Sequence, residues 1–87
     1  MMVDVVIYSS QFCGYCIRAK QLFDQKGVPY QEHQVDRDPE MRELMVRQSN
    51  RTSVPQIFVG GRHVGGYTDL LALERSGELD RLLVAQN

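Results

Sequence analysis

Val3-Asp4-Val5-Val6-Ile7-Tyr8-Ser9-Ser10-Gln11-Phe12-Cys13-Gly14-Tyr15-Cys16 runs from a short apolar stretch through a polar break to a close cysteine pair. Residues 3–8 are nearly all β-branched or aromatic, which predicts a strand covered on both faces. Beyond the break, Cys16, Ala19, Leu22 and Phe23 recur at helical spacing. Gly27 and Pro29 then supply a stop. The cysteine pair therefore sits where a strand hands over to a helix, and the rest of the chain is arranged around that junction.

Residues 30–35 predict a second strand whose polar residues suit an edge or half-exposed face. Asp38-Pro39 reads as a helix start, with Asp at the cap and Pro in the first turn, and Met41, Leu44 and Met45 give that helix one apolar stripe. Gln56-Ile57-Phe58-Val59, Gly60-Gly61 and Arg62-His63-Val64 have the pattern of a hairpin with a Gly-Gly turn. Gly65-Gly66 is a second break. Thr68 or Asp69 is the expected cap of a helix containing Leu70, Leu71 and Leu73, which Gly77 ends, and Leu79, Leu82 and Leu83 mark a terminal helix. The order is β-α-β-α-β-β-α plus a terminal helix, an α/β chain. Two strands joined through a helix run parallel and a closing hairpin runs antiparallel, so one four-stranded mixed sheet flanked by helices is expected. Residues 1–87 show no repeat or linker, which is the expectation for a single domain.

The chemistry expected of the pair follows from its place. Side chains at i and i+3 share a helix face, with Cβ atoms roughly 5–6 Å apart, and a small adjustment reaches the ~3.5–4.5 Å that a disulfide needs. Cys13 would lie at the helix N-terminus, where unpaired N–H groups and the helix dipole favour an anion. In such settings a thiol pKa falls from about 8.5 into the range of roughly 3.5–7.5. Cys13 is thus the candidate nucleophile, and Cys16, one turn further in, the candidate resolving thiol. A zinc site would need two more ligands. Only His33 and His63 are available, 30 residues apart, and each is more simply an exposed polar residue of a strand.

Composition narrows the classes. The 87 residues carry a formal net charge of −1, with no basic stripe of the kind a nucleic-acid module shows. No stretch approaches the roughly 18–20 apolar residues of a membrane span, and Met1-Met2-Val3-Asp4 lacks the basic start of an export signal. Two cysteines three residues apart, with none elsewhere, close almost no loop and make a poor structural staple. They point to redox chemistry in the cytoplasm rather than to a secreted scaffold.

Ser53-Val54-Pro55-Gln56-Ile57-Phe58-Val59-Gly60 and Gly65-Gly66-Tyr67-Thr68-Asp69-Leu70 resemble two further signature stretches of glutaredoxins. With Ile7-Tyr8 and the cysteine pair in the same order, the resemblance covers nearly the whole chain, and it fits the short bacterial-type dithiol members. It implies a thioredoxin-like fold with a cis bond before Pro55. It also implies a glutathione site formed by Tyr15, Arg42, Ser53, Val54, Pro55, Gly66, Thr68 and Asp69. There the Val54 backbone would pair with the cysteine part of glutathione as an added strand does. Arg42 would hold the glycyl carboxylate, Tyr15 would flank the groove, and the Thr68-Asp69 helix start would take the γ-glutamyl end. The implied activity is glutathione-dependent reduction of protein disulfides and protein–glutathione mixed disulfides by a monomer.

Two departures stand out. Where the family often has a lysine three residues before the first cysteine, this chain has Ser10, so thiolate stabilisation falls more heavily on the helix terminus. Where the dithiol pattern usually has proline after the first cysteine, it has Gly14. Members with a small residue there can hold a [2Fe–2S] cluster between two subunits, so the resemblance leaves open Cys13 as an iron ligand in a dimer, with glutathione completing the site. No other metal ligand is expected.

Overall fold

The computed structural model describes residues 3–84; Met1 and Met2, read above as part of a start without an export signal, lie outside the described residues. The elements are β1 (Val5–Ser9), α1 (Gly14–Gln25), β2 (Gln31–Gln34), α2 (Pro39–Ser49), β3 (Gln56–Val59), β4 (Arg62–Gly65), α3 (Tyr67–Ser76) and α4 (Glu78–Leu83). The strands form one sheet in the order β2-β1-β3-β4. β1 pairs parallel with β2 and antiparallel with β3, and β3 pairs antiparallel with β4. This is the expected mixed sheet of the thioredoxin-like fold.

The alternation of β1 and β3 separates two cores. Val5 and Ile7 of β1, with Ile57 and Val59 of β3, face Ala19 and Phe23 of α1, Leu70 of α3, and Leu79 and Leu83 of α4. Tyr8 and Phe58 point the other way and pack with Val35 and with Met45 of α2. Full burial of a residue such as Phe23 or Ile7 contributes about 1.5–3 kcal/mol. The first core therefore carries most of the burial that holds β1, and with it the Cys13 junction, in place.

Local signals explain the element ends. The Asp38 carboxylate accepts the Met41 N–H at 3.2 Å and Pro39 fills the first helical position, so α2 starts as the sequence predicts. Gly60 and Gly61, with φ of 59° and 82°, make the tight hairpin turn. The start of α3 corrects the sequence reading. Neither Thr68 nor Asp69 is the cap: the cap is Gly66, the helix begins at Tyr67, and Asp69 is its third residue. The Asp69 carboxylate reaches back to accept the Gly66 N–H at 3.0 Å, which lets a residue without a side chain begin the helix.

Both rims of the sheet are polar. β2 consists of Gln31, Glu32, His33 and Gln34, and β4 begins with the exposed Arg62 and ends with Gly65 at φ 119°. The pairing of β3 with β4 also shifts register at Ile57/Phe58.

Candidate active site

Cys13 is the N-cap of α1. Its backbone is extended, and its sulfur accepts the Cys16 N–H at 3.1 Å. It is half-buried, whereas Cys16 is 1% exposed against the first core. The two are joined as a disulfide with Cα atoms 5.2 Å apart, within the ordinary range for such a bond. The sulfur occupies the position a capping oxygen normally takes, so helix N–H groups are directed at the atom that becomes a thiolate on reduction. The first turn of α1 carries no acidic residue to oppose that charge. Phe12, immediately before, has φ 61° and is 93% exposed.

Two segments meet this helix start, the Val54-Pro55 stretch and the beginning of α3. The Val54 carbonyl oxygen lies 4.0 Å from the Cys13 sulfur, and the bond between Val54 and Pro55 is cis, as the family resemblance implies. Pro55 is buried; Ser53 before it is exposed. The α3 start lies beside this segment: a Cβ on Gly66 would meet the Pro55 carbonyl at 3.6 Å. Tyr15 stacks on Tyr67 with ring centroids 6.0 Å apart, and the Arg18 guanidinium lies 5.8 Å over the Tyr15 ring. Arg42 on α2 donates to the Thr52 carbonyl at 3.4 Å, which puts it against the loop that leads into Ser53 and Val54. Thr68 is exposed on the first turn of α3.

Asp69 is already engaged. Besides the Gly66 N–H it accepts Arg51 Nη1 at 3.2 Å. The Gly66 N–H holds its carboxyl below the usual carboxylate range; burial opposes this, and Arg51 adds to it. The close approach explains the glycine before the cap: a Cβ on Gly65 would collide with the Asp69 carboxylate.

Of the residues singled out in the sequence, Cys16 and the Val54 carbonyl lie against the Cys13 sulfur, and three partners were missed by the sequence reading. Arg51 pairs with Asp69, Tyr67 stacks on Tyr15, and buried Gln56 bonds to Ser53 at 3.0 Å to its carbonyl and 3.3 Å to its hydroxyl. A polar residue opening an otherwise apolar strand was the one available signal for Gln56. The histidines also differ from expectation. His63 is half-buried, with Nε2 2.7 Å from Gln56 Oε1 and its ring 4.9 Å from that of Phe58; His33 is half-buried beside Tyr8, ring centroids 5.5 Å apart.

Relatives share both sequence and fold. The glutaredoxin family model matches residues 5–64. A glutaredoxin of Pseudomonas aeruginosa is 55% identical over 84 residues, covering 97% of this chain and 100% of its own. Glutaredoxin 3 of Escherichia coli K12 is 49% identical over 82 residues, covering 94% and 99%. Among solved structures, the buckwheat glutaredoxin–glutathione complex superposes with a TM-score of 0.85 at 33% identity, covering 93% of this chain and 76% of that one. The solution structure of the Brucella melitensis glutaredoxin gives 0.82 at 50% identity, covering 94% and 89%. With its dithiol at the helix start, this chain belongs to the glutaredoxin family and is a thiol–disulfide oxidoreductase.

Proposed function

We propose that the protein reduces protein–glutathione mixed disulfides and protein disulfides in the cytoplasm, as a monomer, with glutathione as reductant. The observation that carries this is the Val54 carbonyl set 4.0 Å from the Cys13 sulfur. A glutathione moiety paired with the Val54 backbone would have its sulfur beside the nucleophile. The Cys13 thiolate attacks the glutathione sulfur of a mixed disulfide, the protein thiolate leaves, and Cys13 carries the glutathione. A second glutathione thiolate then attacks that sulfur, releasing oxidised glutathione and regenerating the Cys13 thiolate. For a protein disulfide, Cys13 forms a mixed disulfide with one substrate sulfur. Cys16 displaces it to give the internal disulfide, and two glutathiones reduce that bond.

Tyr15, Arg42, Ser53, Val54, Pro55, Gly66, Thr68 and Asp69 are the proposed glutathione contacts. Arg42, which donates to the Thr52 carbonyl, would meet the glycyl carboxylate, and the α3 start would meet the γ-glutamyl end. Cys13→Ser should lower glutathione-dependent turnover to background, a loss of at least ~100-fold. Cys16→Ser should leave deglutathionylation largely intact while removing protein-disulfide reduction. Retained activity in Cys13→Ser would sink the assignment.

One observation favours a second reading. A Cβ at Gly14 would meet no atom within 4 Å beyond its chain neighbours and its own helix, so no side chain covers this exposed position next to Cys13. A [2Fe–2S] cluster between two copies would be held by Cys13 and glutathione thiolates, and the dimer would act as cluster carrier or sensor. Anaerobic isolation with glutathione would then give a coloured dimer; a colourless monomer after reconstitution speaks against it.

A further inference from the structure

Gln56 is polar, 1% exposed and opens β3, between the site and the hairpin. Its Nε2 donates to the Ser53 carbonyl at 3.0 Å and lies 3.3 Å from the Ser53 hydroxyl. A carbonyl only accepts, so the amide group of Gln56 is fixed with its NH₂ toward Ser53 and its Oε1 toward His63. Oε1 in turn only accepts, so His63 Nε2, 2.7 Å away, must carry the hydrogen. The direction of every bond in the chain is thereby set: His63 donates to Gln56, and Gln56 donates to Ser53. His63 stands across from Phe58 in the β3–β4 pairing and lies against its ring, which holds the imidazole in place from within the sheet.

We infer that Gln56 and His63 are positioning residues for glutathione: the His63–Gln56–Ser53 chain fixes the Ser53–Val54 peptide next to Cys13, a role that rests on the glutathione reading above. Ser53 and the residues before it are exposed loop, whereas Gln56 is anchored in the sheet. Backbone pairing with a ligand requires the Val54 N–H and C=O to point in fixed directions. A loop that must be ordered at each binding event loses affinity without any change in the reacting atoms. The consequence belongs in KM and leaves kcat alone. A purely stabilising role would instead lower the melting temperature and leave KM unchanged.

The test uses the reduced full-length protein and one peptide carrying either a glutathione or a cysteamine mixed disulfide; cysteamine lacks the backbone that would pair with Val54. Gln56→Leu should raise KM for the glutathionylated peptide about fivefold, the effect expected of one ordinary hydrogen bond. Its kcat should stay within about twofold, and cysteamine-peptide turnover should be unchanged. His63→Leu should do the same to a lesser degree. His63→Gln presents a donor at the reach of Nε2 and should restore KM, which a merely structural role would not produce. If Gln56→Leu fails to fold, the two His63 variants carry the test. A lowered melting temperature with unchanged KM overturns the inference. Wild-type protein that treats the two peptides alike would overturn the glutathione reading, and this inference with it. Wild-type discrimination that the variants keep in full overturns the inference alone.

Discussion

The starts of α1 and α3 meet through the Tyr15–Tyr67 stack, yet they are finished in opposite ways. At α1 the cap is the Cys13 sulfur and the first turn has no acid. At α3 the cap has no side chain, and Asp69 supplies a permanent carboxylate that takes the Gly66 N–H and the Arg51 guanidinium. A helix N-terminus favours negative charge in either case. At α3 the Gly66 N–H is taken by the protein's own anion, which serves stability, and the other N–H groups of that helix start stay available to a ligand. At α1 the preference is left for a charge that comes and goes with reduction, so the same electrostatics serves chemistry.

The contrast can be broken most severely at the α3 end. Gly65→Ala puts a Cβ against the Asp69 carboxylate at φ 119° and should destabilise the protein by about 2–3 kcal/mol. That would show as a drop in melting temperature of roughly 10 °C or more. Asp69→Ala removes the built-in anion with no clash and should cost about 1 kcal/mol, the usual size of a lost cap. The Asp69 side chain is 46% exposed, so solvent screening keeps its ion pair with Arg51 a small part of that. Because its folded pKa is lowered, the stability it provides is complete above its unfolded pKa and is lost as pH falls through the folded one. Denaturant melts between pH 7 and pH 3 should show this acid loss in wild type and a shallower one in Asp69→Ala.

The smallest expected effect lies at the start of α1. Gly14→Asp adds a Cβ that meets no atom within 4 Å outside its own helix and chain neighbours, and gives the first turn of α1 the fixed anion it lacks. By the usual helix-terminus magnitude of 0.3–1 kcal/mol, it should lower the thiolate-to-thiol ratio of reduced Cys13 at a given pH by about twofold to fivefold. Thiolate absorbance as a function of pH reads this directly.

The order of elements was legible because each has its own period and its own stop: Gly27 before Pro29, Asp38 before Pro39, Gly60-Gly61 in the hairpin. The candidate site was read in the sequence as three separate stretches. The sheet brings the Val54-Pro55 stretch to the Cys13 sulfur by placing the segment leading into β3 beside the end of β1, and α3 reaches the cysteine turn through Tyr67 on Tyr15. What stayed hidden was the pairing of polar groups. The start of α3 was displaced because Asp69 acts from the third helical residue, and a reach backwards leaves no mark on the cap itself. His63 looked like a solvated strand residue because its neighbours in sequence say nothing of Gln56, seven residues away across a hairpin. In its place burial, followed by the nearby Arg51, pushes the His63 imidazole below its ordinary value against the pull of Asp69.

The polar rims of the sheet have a consequence for crowding. A four-stranded sheet has two outer strands whose free N–H and C=O groups could template a neighbour's chain. β2 offers Gln31, Glu32, His33 and Gln34, with no aliphatic side chain to bury in such a pairing. β4 offers four residues, one of them a left-handed glycine, behind a slipped register. Stacking of copies edge to edge into fibrils is therefore disfavoured at both rims of the sheet.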